Sequence, residues 1–148
     1  MADKYFNRNE AQELLPVITR ELEQVRRRKQ SIDQLEQGLA QTAARIMMLG
    51  GSIPDHEELT KKRAESLRLT AQLKQAIDRI QATGCVVKDL DEGLVDFPSL
   101  LDGQEVYLCW KLGEERISYW HGMEEGFAGR KPLDESTEED ESPPDRIH

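Results

Sequence analysis

Apolar residues recur at Ala11, Leu15, Ile18, Leu22 and Val25, and again at Ile32, Leu35, Leu39, Ala43 and Ile46, with spacings that alternate mostly between three and four. That is the period of an amphipathic helix carrying a coiled-coil seam. Lys29 interrupts the stripe, where its methylene stem can lie along the seam while the ammonium stays in water. Asn7 and Glu10 form a capping-box pair with Phe6 before them as a staple, so the first helix is predicted over about 8–49, stopping at Gly50-Gly51. Asp55 and Glu58 repeat the capping signature after Pro54. Leu59, Leu67, Leu73, Ile77 and Ile80 then mark a return helix over about 55–83, ended by Gly84. A loop this short makes the two helices antiparallel neighbours. Glu23 with Arg27, Glu57 with Lys61 and Glu58 with Lys62 stand four apart in the favourable order on exposed faces.

The arms are unequal. With residue 49 opposite 55, Gly84 falls opposite about residue 20, and the stretch before it carries Leu14, Leu15, Val17 and Ile18. Those side chains need a cover, which the C-terminal part of the chain must supply. Pro16, inside this stretch, leaves the carbonyl of Gln12 without its helical donor and predicts a kink.

After Gly84 the period changes to that of strands. Cys85-Val86-Val87 reads as a short strand, and Gly93 to Pro98 as an extended segment that the proline ends. Leu101-Asp102-Gly103 reads as a turn. Glu105 to Leu112 and Arg116 to His121 flank Gly113-Glu114 as a hairpin. Alternation sets Val106, Leu108, Trp110 and Leu112 on one face, expected against the helical overhang, and Tyr107, Cys109 and Lys111 on the other. Residues 122–133 read as a loop that tucks in Phe127 and Leu133, and residues 134–148 as a disordered acidic tail. The expected fold class is therefore α+β. A long antiparallel two-helix coiled-coil hairpin (1–84) is followed by a small antiparallel β module (85–133) packed on the N-terminal overhang of helix 1, then by the tail (134–148).

Charge and composition narrow the function classes. The tail holds seven acids against Arg146, which accounts for most of the net charge of −9 and leaves the body close to neutral. Nucleic acid is therefore not an expected partner. Arg26-Arg27-Arg28-Lys29 and Lys61-Lys62-Arg63 read as solvated helix faces among nearby acids. The sequence shows neither an apolar run of signal-peptide length at its start nor a stretch that would span a membrane, so a cytoplasmic protein with no membrane partner is expected. Cys85 and Cys109 are accordingly expected as reduced thiols.

At this point the chain resembles a known family. Tyr5-Phe6, Glu10-Ala11 and Leu14-Leu15-Pro16 carry the likeness at the start. Val87 to Asp91, Gly93 to Pro98, Gly103, Leu108-Cys109-Trp110 and Leu112-Gly113-Glu114 carry it through the middle, with Tyr119-Trp120-His121 and Gly126 to Arg130 at the end. Together they are similar to the prokaryotic family catalogued as domain of unknown function 2203. The resemblance implies membership and brings no activity, substrate or catalytic residue with it.

Chemistry must then be sought in the residues themselves. Asp89, Asp91 and Asp96 around Gly93, with His121, are candidate ligands for a divalent metal, although the spacing is not that of an EF-hand. The bland reading is that these acids cap turns. Trp110, Glu114, Trp120, His121 and Arg130 are candidates for a groove that takes a peptide or a small anion, with Arg130 as the fork; the bland reading places the aromatic rings in the core. A thiol nucleophile at Cys109 with His121 as base and Asp96 or Glu114 as orienter is disfavoured, because a two-residue turn at Gly113-Glu114 puts Cys109 opposite Ser118 and His121 on the other face. Met47, Met48, Leu49 and Ile53 at the hairpin tip, with Leu69, are candidates for self-association. The expected function is a noncatalytic interaction or scaffold module that self-associates or binds a protein partner, with no cofactor. The alternative is a protein that binds a divalent metal or a small anion in the β module and could act as an enzyme.

Overall fold

The computed structural model describes residues 4–50 and 56–133. Two helices, α1 (Arg8–Met48) and α2 (His56–Ala82), precede a five-stranded antiparallel sheet, so the mixed α+β class is as expected. The strands are β1 (Val86–Asp89), β2 (Leu94–Leu101), β3 (Gln104–Lys111), β4 (Tyr119–Gly122) and β5 (Lys131–Pro132), and they lie side by side in chain order. Asp55, Ile53 and residues 134–148 fall outside the described residues.

The start of α1 is capped as the sequence predicts. Asn7 Oδ1 accepts from the Glu10 amide at 2.7 Å, and Glu10 Oε1 accepts from the Asn7 amide at 3.0 Å. The helix runs on through Pro16. Among the described residues two compact units form, one of residues 4–22 with 77–133 and the other of residues 23–50 with 56–76.

The first unit holds the sheet. Phe6, Ala11, Leu15, Ile18 and Leu22 share one core with Ile80, Cys85, Val95, Phe97, Leu108, Trp110 and Ile117. The Leu108 and Trp110 face of β3 thus covers the start of α1, as the apolar overhang requires. Two polar clamps draw the N-terminus against β2. The Phe6 amide donates to the Pro98 carbonyl at 2.7 Å, and Ser99 Oγ donates to the Phe6 carbonyl at 2.6 Å.

Pro98 does not end its strand. It pairs with Tyr107 inside β2, and its carbonyl points away from β3 toward Phe6. A residue's N–H and C=O leave a strand on the same side, so the donor that proline lacks belongs to that outer side and the β2–β3 ladder loses nothing. Asp102 and Gly103 both have positive φ (53° and 78°) between the paired Leu101 and Gln104, the conformation of a two-residue hairpin turn.

The β3–β4 connection departs from expectation. β3 stops at Lys111 and β4 starts at Tyr119, with Cys109 opposite Tyr119 and Tyr107 opposite His121. Gly113-Glu114 is not a bare two-residue turn, because Glu114 is tied back to β3. Its carboxylate accepts from the Lys111 amide at 2.9 Å and its carbonyl from Trp110 Nε1 at 2.9 Å. Ile117 then dips into the core, with its amide donating to Gln12 Oε1 and its carbonyl accepting from Arg8 Nε. The pairing slips by one residue, which moves every β4 side chain to the other face.

On the helices, Glu21 meets Arg79 within the first unit and Arg28 meets Gln72 within the second. Both pairs lie about one helical turn from the expected register. In the second unit Val25, Ile32, Leu59 and Ala76 are buried. Leu69 and Leu73 are half-buried on the same three-four spacing of α2 as Leu59 and Ala76, whereas Leu67 is 73% exposed. Leu67 therefore leaves the predicted apolar face, and Leu69 takes the inward position. Lys62 pairs with Glu58 at the edge of that face and Lys61 with Glu57 in solvent. No helix among the described residues is long and apolar enough to cross a membrane.

Candidate functional site

The register of β4 brings three chemically reactive side chains together on the sheet face away from the core. Asp96 on β2 lies directly opposite Cys109 on β3, and His121 on β4 pairs with Tyr107, the next residue on the same face of β3. All three are buried. Their ligating atoms lie within 4.8 Å of one another. They form the floor of a cavity of about 150 Å³, walled by Lys88, Leu94, Glu125, Gly126 and Phe127.

The hydrogen bonds of His121 define its protonation pattern. Nδ1 lies 2.9 Å from the Gly122 carbonyl, which can only accept, so Nδ1 carries a hydrogen. Nε2 lies 3.0 Å from Asp96 Oδ2, and that contact needs one further proton held between the two atoms. The Tyr107 ring packs on the imidazole with centroids 5.4 Å apart. Burial, followed by the Asp96 carboxylate, pushes the Cys109 thiol up to about 12. Cys109 and His121 thus share a face, contrary to the two-residue-turn register, while burial works against the thiolate that a nucleophile needs.

Phe127, expected to tuck into the core, is instead 41% exposed in a short 3-10 turn (Phe127–Gly129) and forms one wall of the cavity. The Arg130 guanidinium lies 4.5 Å from its ring centroid and 3.9 Å from that of Tyr119. Arg130 also donates to the Glu114 carboxylate at 2.9 Å and to the Cys109 carbonyl at 3.2 Å. Glu125 accepts from Lys131 and from the Gly122 amide, and these two contacts hold its carboxyl below the ordinary range.

The metal candidates of the sequence divide. Asp96 and His121 meet, and Cys109 joins them. Asp89 and Asp91 stay on an exposed turn, where Asp89 Oδ1 accepts from the Glu92 amide. An oxygen-rich cage is thus replaced by an oxygen, a sulfur and a nitrogen. The groove candidates divide as well. Trp110 lies in the core with Trp120 packed against it, so neither shares a face with His121. Of the Arg130 fork, one terminal nitrogen is engaged by Glu114 and by the Cys109 carbonyl, while Nε is buried without a hydrogen-bond partner among the described residues. Trp110 and Glu114 border a separate open recess of about 440 Å³, with Gln12, Leu15 and Pro16.

A family model described as "Uncharacterized conserved protein (DUF2203)" matches residues 4–133. The chain belongs to that family. The match spans both helices and all five strands, so Asp96, Cys109 and His121 lie inside the family's domain. No curated protein and no solved structure matches the chain.

Sequence reasoning passed over Cys109 as a ligand and Lys88 and Phe127 as cavity walls. A usable signal lay in β4 itself: Trp120 is its apolar residue, and pairing Trp120 with Leu108 on the core face forces His121 onto the face of Cys109.

Proposed function

We propose that this protein binds a transition-metal ion, zinc being the best fit, through Asp96, Cys109 and His121. The convergence of these three ligating atoms on the floor of one cavity carries the reading. A carboxylate, a thiolate and an imidazole suit zinc and its neighbours rather than magnesium or calcium. Ligand atoms on a tetrahedral ion stand about 3.3–3.8 Å apart, so the Cys109 sulfur needs to approach the other two by at most about 1.5 Å, while the Asp96–His121 contact of 3.0 Å opens slightly to admit the ion. His121 is already arranged for the role. Its Nδ1 hydrogen is held by the Gly122 carbonyl, the outer contact that fixes a metal-binding histidine with Nε2 toward the ion. Three protein ligands leave a fourth position open, the pattern of a site that meets a ligand or substrate rather than a purely structural one.

The test is titration of the tag-free protein with Co²⁺ and Zn²⁺. One equivalent of Co²⁺ should produce a thiolate-to-cobalt charge-transfer band, and Zn²⁺ should raise the melting temperature with dose, because a ligand of the folded state stabilises it. Both effects should vanish in Cys109→Ala and His121→Ala and survive in Asp91→Asn. Absence of the cobalt band, or its persistence in Cys109→Ala, refutes the site.

A second reading concerns the other unit. Met47, Met48 and Leu67 are 81%, 86% and 73% exposed, and Leu49 is exposed next to the two methionines. Apolar side chains this open support self-association through the helical hairpin, a scaffold role that is compatible with the metal centre. Leu69, being half-buried, contributes less to such a surface than Leu67.

A further inference from the structure

The cations around the cavity are matched, with one exception. Lys111 pairs with Glu92 at 3.2 Å, Lys131 with Glu125 at 2.6 Å and Arg130 with Glu114 at 2.9 Å. Lys88, exposed to solvent near the end of β1, stands at the rim of the cavity, and among the described residues its ammonium has no carboxylate within ion-pair distance; it lies 5.4 Å from the Tyr107 ring centroid instead. Its placement is built into the sheet. The β1–β2 register breaks between Val87 and Asp89, so Lys88 is the extra residue of a bulge, a device that re-aims a side chain beside a site.

We infer that the open fourth position of the metal centre takes a small, singly charged anion of carboxylate size, with the Lys88 ammonium as its counter-charge. The inference rests on the metal reading above. A divalent ion held by the Asp96 carboxylate, the Cys109 thiolate and a neutral His121 gives a centre of zero net charge. The unmatched charge at the rim of the cavity is then the single positive charge of Lys88, which one anionic group neutralises. Size sets the second limit. A cavity of about 150 Å³ is well below the roughly 300 Å³ at which pockets for drug-sized ligands begin. Phe127 forms one wall of it, with Arg130 and Lys111 both near its ring.

The experiment uses the full chain loaded with Co²⁺ at constant ionic strength, with acetate as probe, acetamide as its neutral counterpart and hexanoate as a longer carboxylate. Acetate should shift the cobalt d–d bands saturably, and acetamide and hexanoate should not. In Lys88→Gln the thiolate band should persist, showing an intact centre, while the apparent acetate affinity falls about tenfold or more as the nearby charge is lost. Acetate affinity unchanged in Lys88→Gln, or equal responses to acetamide or hexanoate, would overturn the inference and leave the metal centre standing. Lack of any thiolate band in the parent protein would overturn both.

Discussion

His121 Nε2 lies 3.0 Å from Asp96 Oδ2, with both side chains almost fully removed from solvent. The two side chains are hydrogen-bonded to each other beneath the cavity. Removing either partner leaves a buried polar group unsatisfied. Asp96→Ala and His121→Ala should each lower the unfolding free energy of the metal-free protein by about 3 kcal/mol. The double variant should cost clearly less than the two added together. Urea unfolding followed by tryptophan fluorescence measures this, since Trp110 and Trp120 both belong to the unit that holds the sheet. Strict additivity would show that the pair is not coupled.

Alkaline pH should weaken the metal-free fold. Burial raises the thiols of Cys85 and Cys109, the latter to about 12 from an ordinary value of 9.0. Above pH 9 the unfolded chain sheds these protons while the native state retains them, so stability is fully present below pH 9 and is lost as pH rises toward 12. Urea midpoints at pH 8, 9, 10 and 11 should fall progressively. Cys109→Ala should flatten the decline; an unchanged slope in that variant would remove Cys109 as its source.

Gly93 has φ 72°, and a Cβ there would stand 2.6 Å from Leu112 Cβ. Its carbonyl also accepts from the Leu112 amide at 2.9 Å, tying the start of β2 to the end of β3. Gly93→Ala combines left-handed strain with a steric overlap and should cost about 3 kcal/mol, read as a drop in urea midpoint at unchanged slope. A loss below about 0.5 kcal/mol would mean that the turn relaxes freely.

The exposed apolar residues of the hairpin are testable in solution. Met48→Glu combined with Leu67→Glu should reduce the mass measured by light scattering to that of one chain, with helix content retained. A mass that does not move would exclude this surface from any assembly.

The helical half was legible because its signals are local. The Asn7 and Glu10 box, the spacing from Ala11 to Val25 and the end near Gly50 all depend on neighbours within a turn or two. Leu67 was misread because its apolar character outweighed its phase; the observed stripe runs through Leu59, Leu69, Leu73 and Ala76. The site was half legible. Asp96 and His121 stood out as candidates, but their meeting depends on a single residue of register, set by the contacts of Glu114 with Lys111 and Trp110 and by the burial of Ile117. Those contacts reach across the loop, and turn chemistry alone does not encode them. Pro98 misled in a similar way, since its missing donor faces Phe6, more than ninety residues earlier in the chain.

That clasp between Phe6 and Pro98 also sets an order of events during synthesis. The segment around Phe6, Leu15 and Ile18 leaves the ribosome well before its partners Phe97, Leu108 and Trp110. Contacts of such long sequence separation form slowly, because the intervening chain must be closed before they repay its entropy. Residues 23–76, whose contacts are mostly local, can become helical in the meantime. The nascent chain therefore carries this apolar segment wet until β3 is complete, and this interval is when chaperone binding or aggregation would act on it.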